Sequence, residues 1–345
     1  MFSWLSTIVQ AQLMHEQFIP LAEQQYTFHT SLAKDSTMHP VGINSANGEI
    51  VYVNHASDLW GMFPAACWQL FGLARDNMWR EEATKRMLGS QMQLFANPTS
   101  NAILAYASAY EKTLDSTAKA HLLRLADQLI DSVNAVGKNH RQEMAFKLLL
   151  LADGLCKAYE INAKEQYLRI LLQTADSLAA STSTLNPLTN ADTLAALRNN
   201  GLLSMVYALL YTYSEQGALL KKSAQCISKI QQWSKPLTQR QFTGIPLHIE
   251  QLITSNSDKL TLTLLLNTWK LTTSAEGKTS KAQMTALESD LLNCLYNNNW
   301  ISDLRGNAFF ILNSKGMSDA NTTLTQTHAA IYPDYFLLRF LSRPY

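Results

Sequence analysis

Glu143 and Lys147 stand four residues apart in a helical pattern, so they share a face one turn apart. A carboxylate beside an ammonium is either a surface ion pair or an acid with a cationic neighbour. His39 and His55 lie in the loop region before Trp60. Histidine titrates near neutrality and is the usual acid–base group of a pocket. Arg198 opens the run Arg198-Asn199-Asn200-Gly201 and is suited to gripping a carboxylate with two parallel bonds. Asp58 and Asp334 are further candidate polar contacts. No G-x-S-x-G, phosphate-binding loop, H-E-x-x-H or dinucleotide fingerprint occurs in a useful context. Cys67, Cys156, Cys226 and Cys294 are scattered through apolar helical stretches without a C-x-x-C pair, so they read as small buried hydrophobes. No metal or cofactor site is expected.

Helices must position these groups. The chain has 345 residues, 47% hydrophobic and 16% charged, against roughly 25% charged in ordinary domains. Its 13 glycines and 9 prolines are few for this length, which disfavours turn-rich sandwiches, propellers and dinucleotide folds. With 28 basic and 27 acidic residues and no basic stripe, nothing points to nucleic acid. Many Asn, Gln, Ser and Thr suit a polar, uncharged ligand. Met1–Pro20 lacks a basic start, and the apolar runs fall well short of about 20 residues. A cytoplasmic protein without membrane segments is expected. Oligomeric state is not legible.

A 3.6-residue apolar period recurs in about twelve segments. They run over 4–33, 63–74, 77–95, 100–112, 116–136, 141–159, 163–180, 191–214, 217–233, 258–271, 281–297 and 332–341. Val41-Gly42-Ile43 and Ile50–Val53, around Asn47-Gly48, predict one hairpin. The helices pair across short links without a fixed repeat, which favours a closed toroid over an open array. No Pro- or Gly-rich linker divides the chain, so residues 1–345 read as a single domain.

The segment Ser57-Asp58-Leu59-Trp60-Gly61-Met62-Phe63-Pro64-Ala65-Ala66-Cys67-Trp68 resembles the "DWTSGFFPGxLW" signature of unsaturated glucuronyl hydrolases, glycoside hydrolase family 88. The unsaturated rhamnogalacturonyl hydrolases share that fold. Further matches keep their order. Tyr110 to Asp115 is similar to the end of "AYKLTGD", and Leu125-Ala126-Asp127 to a helix ending "AAD". Tyr167 and Ala175-Asp176 resemble "YxxIAxxHAD". Arg198 with Tyr211-Thr212-Tyr213 resembles "WARGQAW…YRYTGD", and Asn256-Ser257-Asp258 resembles "RDSSA". Ile331-Tyr332-Pro333-Asp334-Tyr335-Phe336-Leu337-Leu338 resembles "IWGDYFFLEAL".

The resemblance implies an all-α (α/α)6 barrel with a pocket at one end. It implies hydration of the double bond of an unsaturated uronic acid in an oligosaccharide, by two aspartates and without metal. Those two places fall at Asn97 and Lys147. An amide does not exchange a proton near neutral pH, and an ammonium accepts none. Glu143 could replace the lost acid. Trp60, Trp68 and Tyr106 stand where aromatic rings would pack on sugar CH faces, and His39, His55, Asp58, Arg198, Asn200 and Asp334 complete the candidate set. Three readings remain open here: a hydrolase with relocated acid groups, a catalytically degenerate relative that binds a glycan or a protein partner, and a lyase, epimerase or cyclase on the same barrel.

Overall fold

The computed structural model describes residues 2–32, 35–43, 49–88, 101–135, 138–185, 190–233, 245–254, 258–276, 281–297, 301 and 331–343. Among them are α1 (Phe2–Leu32), β1 (His39–Ile43), β2 (Ile50–Val53), α2 (Met62–Ala74), α3 (Asn77–Leu88), α4 (Ala102–Thr113), α5 (Ser116–Ala135), α6 (Lys138–Leu150) and α7 (Ala152–Asn162). They continue with α8 (Gln166–Thr182), α9 (Asn190–Ser214), α10 (Gly217–Trp233), α11 (Leu247–Thr254), α12 (Lys259–Glu276), α13 (Lys281–Asn297) and α14 (Ile331–Ser342).

Burial sorts the helices into two layers. In α2, α4, α7, α9, α12 and α14 long stretches are buried on every face, as in Leu202–Leu210 and Ile331–Leu341. A helix apolar all round belongs inside. In α5 the buried residues are Ala118, Leu122, Leu125, Ala126, Leu129, Ile130 and Val133, a single stripe. Such a helix lies over the inner ones. The inner helices form a closed ring: α2 packs on α4, α4 on α7, α7 on α9, α9 on α12, α12 on α14, and α14 back on α2. The outer layer is α1, α3, α5, α8, α10 and α13, alternating with the inner helices along the chain. This is the (α/α)6 barrel.

Two departures from the periodic reading have local causes. The segment expected as one helix over 141–159 is broken at Leu151 (φ −89°, ψ 6°) into α6 and α7, which together form one inner position. Beyond the break Gly154 lies so close to α4 that a Cβ would meet Ile103 at 2.9 Å. The short α11 is absent from the twelve, because eight residues carry barely two turns of period. The hairpin pairs His39 with Val53 and Ile43 with Ile50, with a register shift between Pro40 and Gly42. Its expected turn at Asn47-Gly48 lies outside the described residues.

The scarcity of glycine has a structural counterpart. Four inner helices end on a left-handed residue that is not glycine: Arg75 (φ 60°), Leu114 (φ 56°), Ala163 (φ 54°) and Glu215 (φ 54°). Each donates its N–H to the carbonyl four residues back, on Phe71, Tyr110, Tyr159 and Tyr211. In the resembled "YKLTGD" and "YRYTGD" endings this place is glycine. The left-handed region costs an L-residue roughly 1–2 kcal/mol. Leu114 is 73% exposed, so its side chain contributes little packing. Leu114→Gly is therefore expected to stabilise the fold by about 0.5–1 kcal/mol in urea unfolding, after the extra freedom glycine gives the unfolded chain. A loss of stability would show that the turn is not strained.

Candidate functional site

The inner helices α2, α4, α12 and α14 begin at the same end of the ring, and several polar side chains gather there. Asp58 sits in the turns before α2. Its carboxylate accepts a hydrogen bond from Lys147 Nζ at 3.1 Å, across 89 positions of sequence. Lys147, near the end of α6, is 42% exposed at its side chain and Asp58 16%, so the pair faces solvent. The Asp58 carbonyl accepts the Asn101 N–H at 2.7 Å. Asn101 Nδ2 in turn donates to Tyr332 Oη at 2.9 Å, tying the start of α4 to the start of α14. Gly61 makes this junction tight, because a Cβ there would lie 2.2 Å from the Asn101 carbonyl carbon.

A second cluster adjoins the start of α12. Arg198 Nε and Nη2 both donate to Asp258 Oδ1, at 3.0 and 2.7 Å. The other oxygen of Asp258 accepts the N–H of Thr261 at 2.9 Å and its hydroxyl at 2.8 Å, so Asp258 also caps α12. This pair is buried, at 9% and 5% side-chain exposure. Lys259 is buried beside it. Burial lowers its ammonium to about 8, against the opposing pull of the Asp334 and Asp258 charges. Asp334, in the first turn of α14, is fully buried. Burial first, and then the Asp334 charge, hold the Tyr26 phenol well above its ordinary value.

The two histidines meet under the same turns. His39 Nε2 and His55 Nδ1 are 3.3 Å apart, so one ring carries the shared proton. Both rings pack on Trp60, at 5.7 and 5.2 Å between centroids. Burial, then the Arg86 and His55 charges, push His39 well below its usual value. Burial lowers His55 as well, with Asp35 pulling the other way. Burial and the Arg86 charge take the nearby His29 down to about 3. Among the described residues no group of three or more His, Cys, Asp or Glu is arranged to hold a metal ion.

The remaining candidates lie elsewhere. Trp68 is buried and donates its indole N–H to Met87 Sδ at 3.1 Å, toward outer helix α3. Tyr106 is buried against His121 of outer helix α5. Both fill the space between the layers. Asn200 is buried and donates to the Ala196 carbonyl in its own helix. Asn97 lies outside the described residues, and so does the side chain of Glu143, although its backbone belongs to α6. Asp127 and Asp176, from the helix endings of the resemblance, are ties between hairpins. Asp127 accepts Tyr167 Oη and Lys164 Nζ, and Asp176 accepts Tyr207 Oη and Lys222 Nζ. Sequence reasoning missed Asn101, Lys259 and Tyr332. Asn101 carried a usable signal, an Asn directly before an apolar helix.

No family model matches the chain, and no curated protein matches it in sequence. Solved structures do. The fold is similar to an unsaturated glucuronyl hydrolase specific for heparin, at TM-score 0.63 and 13% identity, over 97% of this chain and 96% of that one. It is similar to the unsaturated glucuronyl hydrolase of Bacillus sp. GL1, responsible for the degradation of glycosaminoglycan, at TM-score 0.65 and 13% identity, over 95% and 96%. A mutant of the Streptococcus agalactiae enzyme complexed with dGlcA-GalNAc6S aligns at TM-score 0.63 and 12% identity, over 95% and 90%. The resemblance read from the ordered motifs therefore holds for the fold along nearly the whole chain.

His29, His39 and His55 give a pH dependence of definite sign. All three are held neutral in the folded state, below the ordinary 6.5. The unfolded chain takes up protons at pH values where the folded chain does not, so stability falls as pH drops below about 6.5. Above that value these groups contribute no slope. Urea unfolding from pH 7.5 to 5 is expected to show this fall, reduced in His39→Gln. A flat profile, or stability rising toward pH 5, would contradict the buried neutral histidines.

Proposed function

We propose that the protein binds an oligosaccharide at the end of the ring where Asp58 and Lys147 meet, and does not hydrate it. The barrel is that of enzymes acting on unsaturated uronyl sugars, and such enzymes have been seen with sugars bound, one with dGlcA-Glc-Rha-Glc and another with dGlcA-GalNAc6S. The observation that carries the reading is the ion pair itself. Lys147 brings an ammonium, with three donors and no acceptor, to a place where the resemblance calls for a carboxylate. It is joined to Asp58, whose oxygens accept. A carboxylate and an ammonium side by side offer acceptor and donors to neighbouring sugar hydroxyls. They do not provide two carboxyl groups that pass a proton to and from a double bond. The resemblance puts Asn97, an amide, at the other place. Positioned acid–base groups are worth about 10²–10⁴-fold each, so losing both abolishes turnover on any practical timescale.

Two measurements test this. Incubation with unsaturated uronyl oligosaccharides is expected to leave the double-bond absorbance unchanged. Glycan-array binding is expected to give signal that Asp58→Asn or Lys147→Met each weaken by at least roughly tenfold, the worth of a charge-assisted hydrogen bond. Steady loss of absorbance with the native protein, abolished in Glu143→Gln, would replace this reading with that of an active hydrolase whose acid has moved one turn along α6.

A further inference from the structure

The charges at this end of the ring carry an inference about which sugar is bound, and it rests on the binding reading above. Three cations stand there among the described residues: Lys147, Arg198 and Lys259. Each already faces a carboxylate of the chain. Lys147 bonds Asp58, and Arg198 puts two nitrogens on Asp258. Lys259 lies in the field of Asp334 and Asp258. Among the described residues, three carboxylates thus face three ammonium or guanidinium groups.

We propose that the ligand held at this end is a neutral sugar, with hydroxyl, acetamido or deoxy groups, and not a uronate. Arg198 is the group the sequence offers to a sugar carboxylate. Its Nε and Nη2 are already committed to the buried Asp258 carboxylate, so a sugar carboxylate on its remaining N–H groups would stand as a second negative charge beside Asp258. Two like charges on one buried guanidinium lower affinity by roughly 10²–10³-fold relative to an arginine with no carboxylate beside it. Lys147 is the more accessible cation. A uronate on it would place a second carboxylate against Asp58 on one ammonium, and like charges so placed disfavour the complex. A hydroxyl meets neither obstacle, since it donates to Asp58 and accepts from Lys147 with both charges in place.

Calorimetry with matched oligosaccharides decides the matter. The native protein is titrated with maltotriose, cellotriose and chitotriose, and with tri-galacturonate and dGlcA-GalNAc6S. At least one neutral probe is expected to bind 10²-fold or more tightly than both acidic probes, with an affinity that changes less than twofold between 50 and 500 mM salt. Asp258→Asn, which releases Arg198, is expected to raise affinity for the acidic probes tenfold or more. Its fold is checked by circular dichroism. If that variant does not fold, the native titration and its salt dependence still decide. Tighter binding of an acidic probe by the native protein would overturn the neutral-sugar inference and leave the binding reading standing. Absence of binding by every probe would overturn both.

Discussion

The closure of the inner ring rests on a network of buried charges around α14. Arg339 bonds both oxygens of Glu111, at 2.9 and 2.7 Å, and lies 3.5 Å from Asp153. Arg343 donates to Asp153 at 2.7 Å. Lys270 joins Glu288 of the outer helix α13 to the Phe340 carbonyl. Burial opposes the charge on Glu111, yet the Arg339 guanidinium pulls its carboxyl down to about 2. Asp153 is likewise held below its usual value against burial, by Arg343 and then Arg339. Such pairs add little over a well-packed apolar core, but removing one partner costs about 3–5 kcal/mol. A helix apolar on every face could slide or rotate in its slot. In α14, any such movement strands a buried charge, so the last helix closes the ring in one register.

That register also sets the other end. The chain that places Arg339 and Arg343 near the end of α14 places Tyr332 and Asp334 at its start. Tyr332 meets Asn101, and the Asn101 N–H meets the Asp58 carbonyl. The position of Asp58 opposite Lys147 therefore depends on how α14 is seated as well as on the turns that carry Asp58. The two ends differ in kind. One is filled by ion pairs with little access to water. At the other, the Asp58–Lys147 pair stays open to solvent.

Much of the architecture was legible in the sequence because apolar periodicity is local. The twelve-segment count, the hairpin and the ordered motif endings all depend on residues within a few turns of each other. The break at Leu151 was hidden because a one-residue interruption leaves the apolar period almost intact. The site was less legible for a complementary reason. Arg198 and Asp258 are 60 positions apart, and Asp58 and Lys147 are 89 apart. Each reads alone as an available charge, and only the fold shows that it is satisfied. Trp68 and Tyr106 carry the same lesson, since an aromatic on an inner helix faces either the bore or the outer layer, and spacing does not say which.

The most direct measurement is a crystal structure of the protein soaked with whichever neutral oligosaccharide binds in solution. The account predicts sugar hydroxyls within hydrogen-bond distance of both Asp58 and Lys147, with the ion pair and the Arg198–Asp258 contact intact. A sugar bound elsewhere on the molecule, or Lys147 swung away with a sugar carboxylate seated on Arg198, would contradict it.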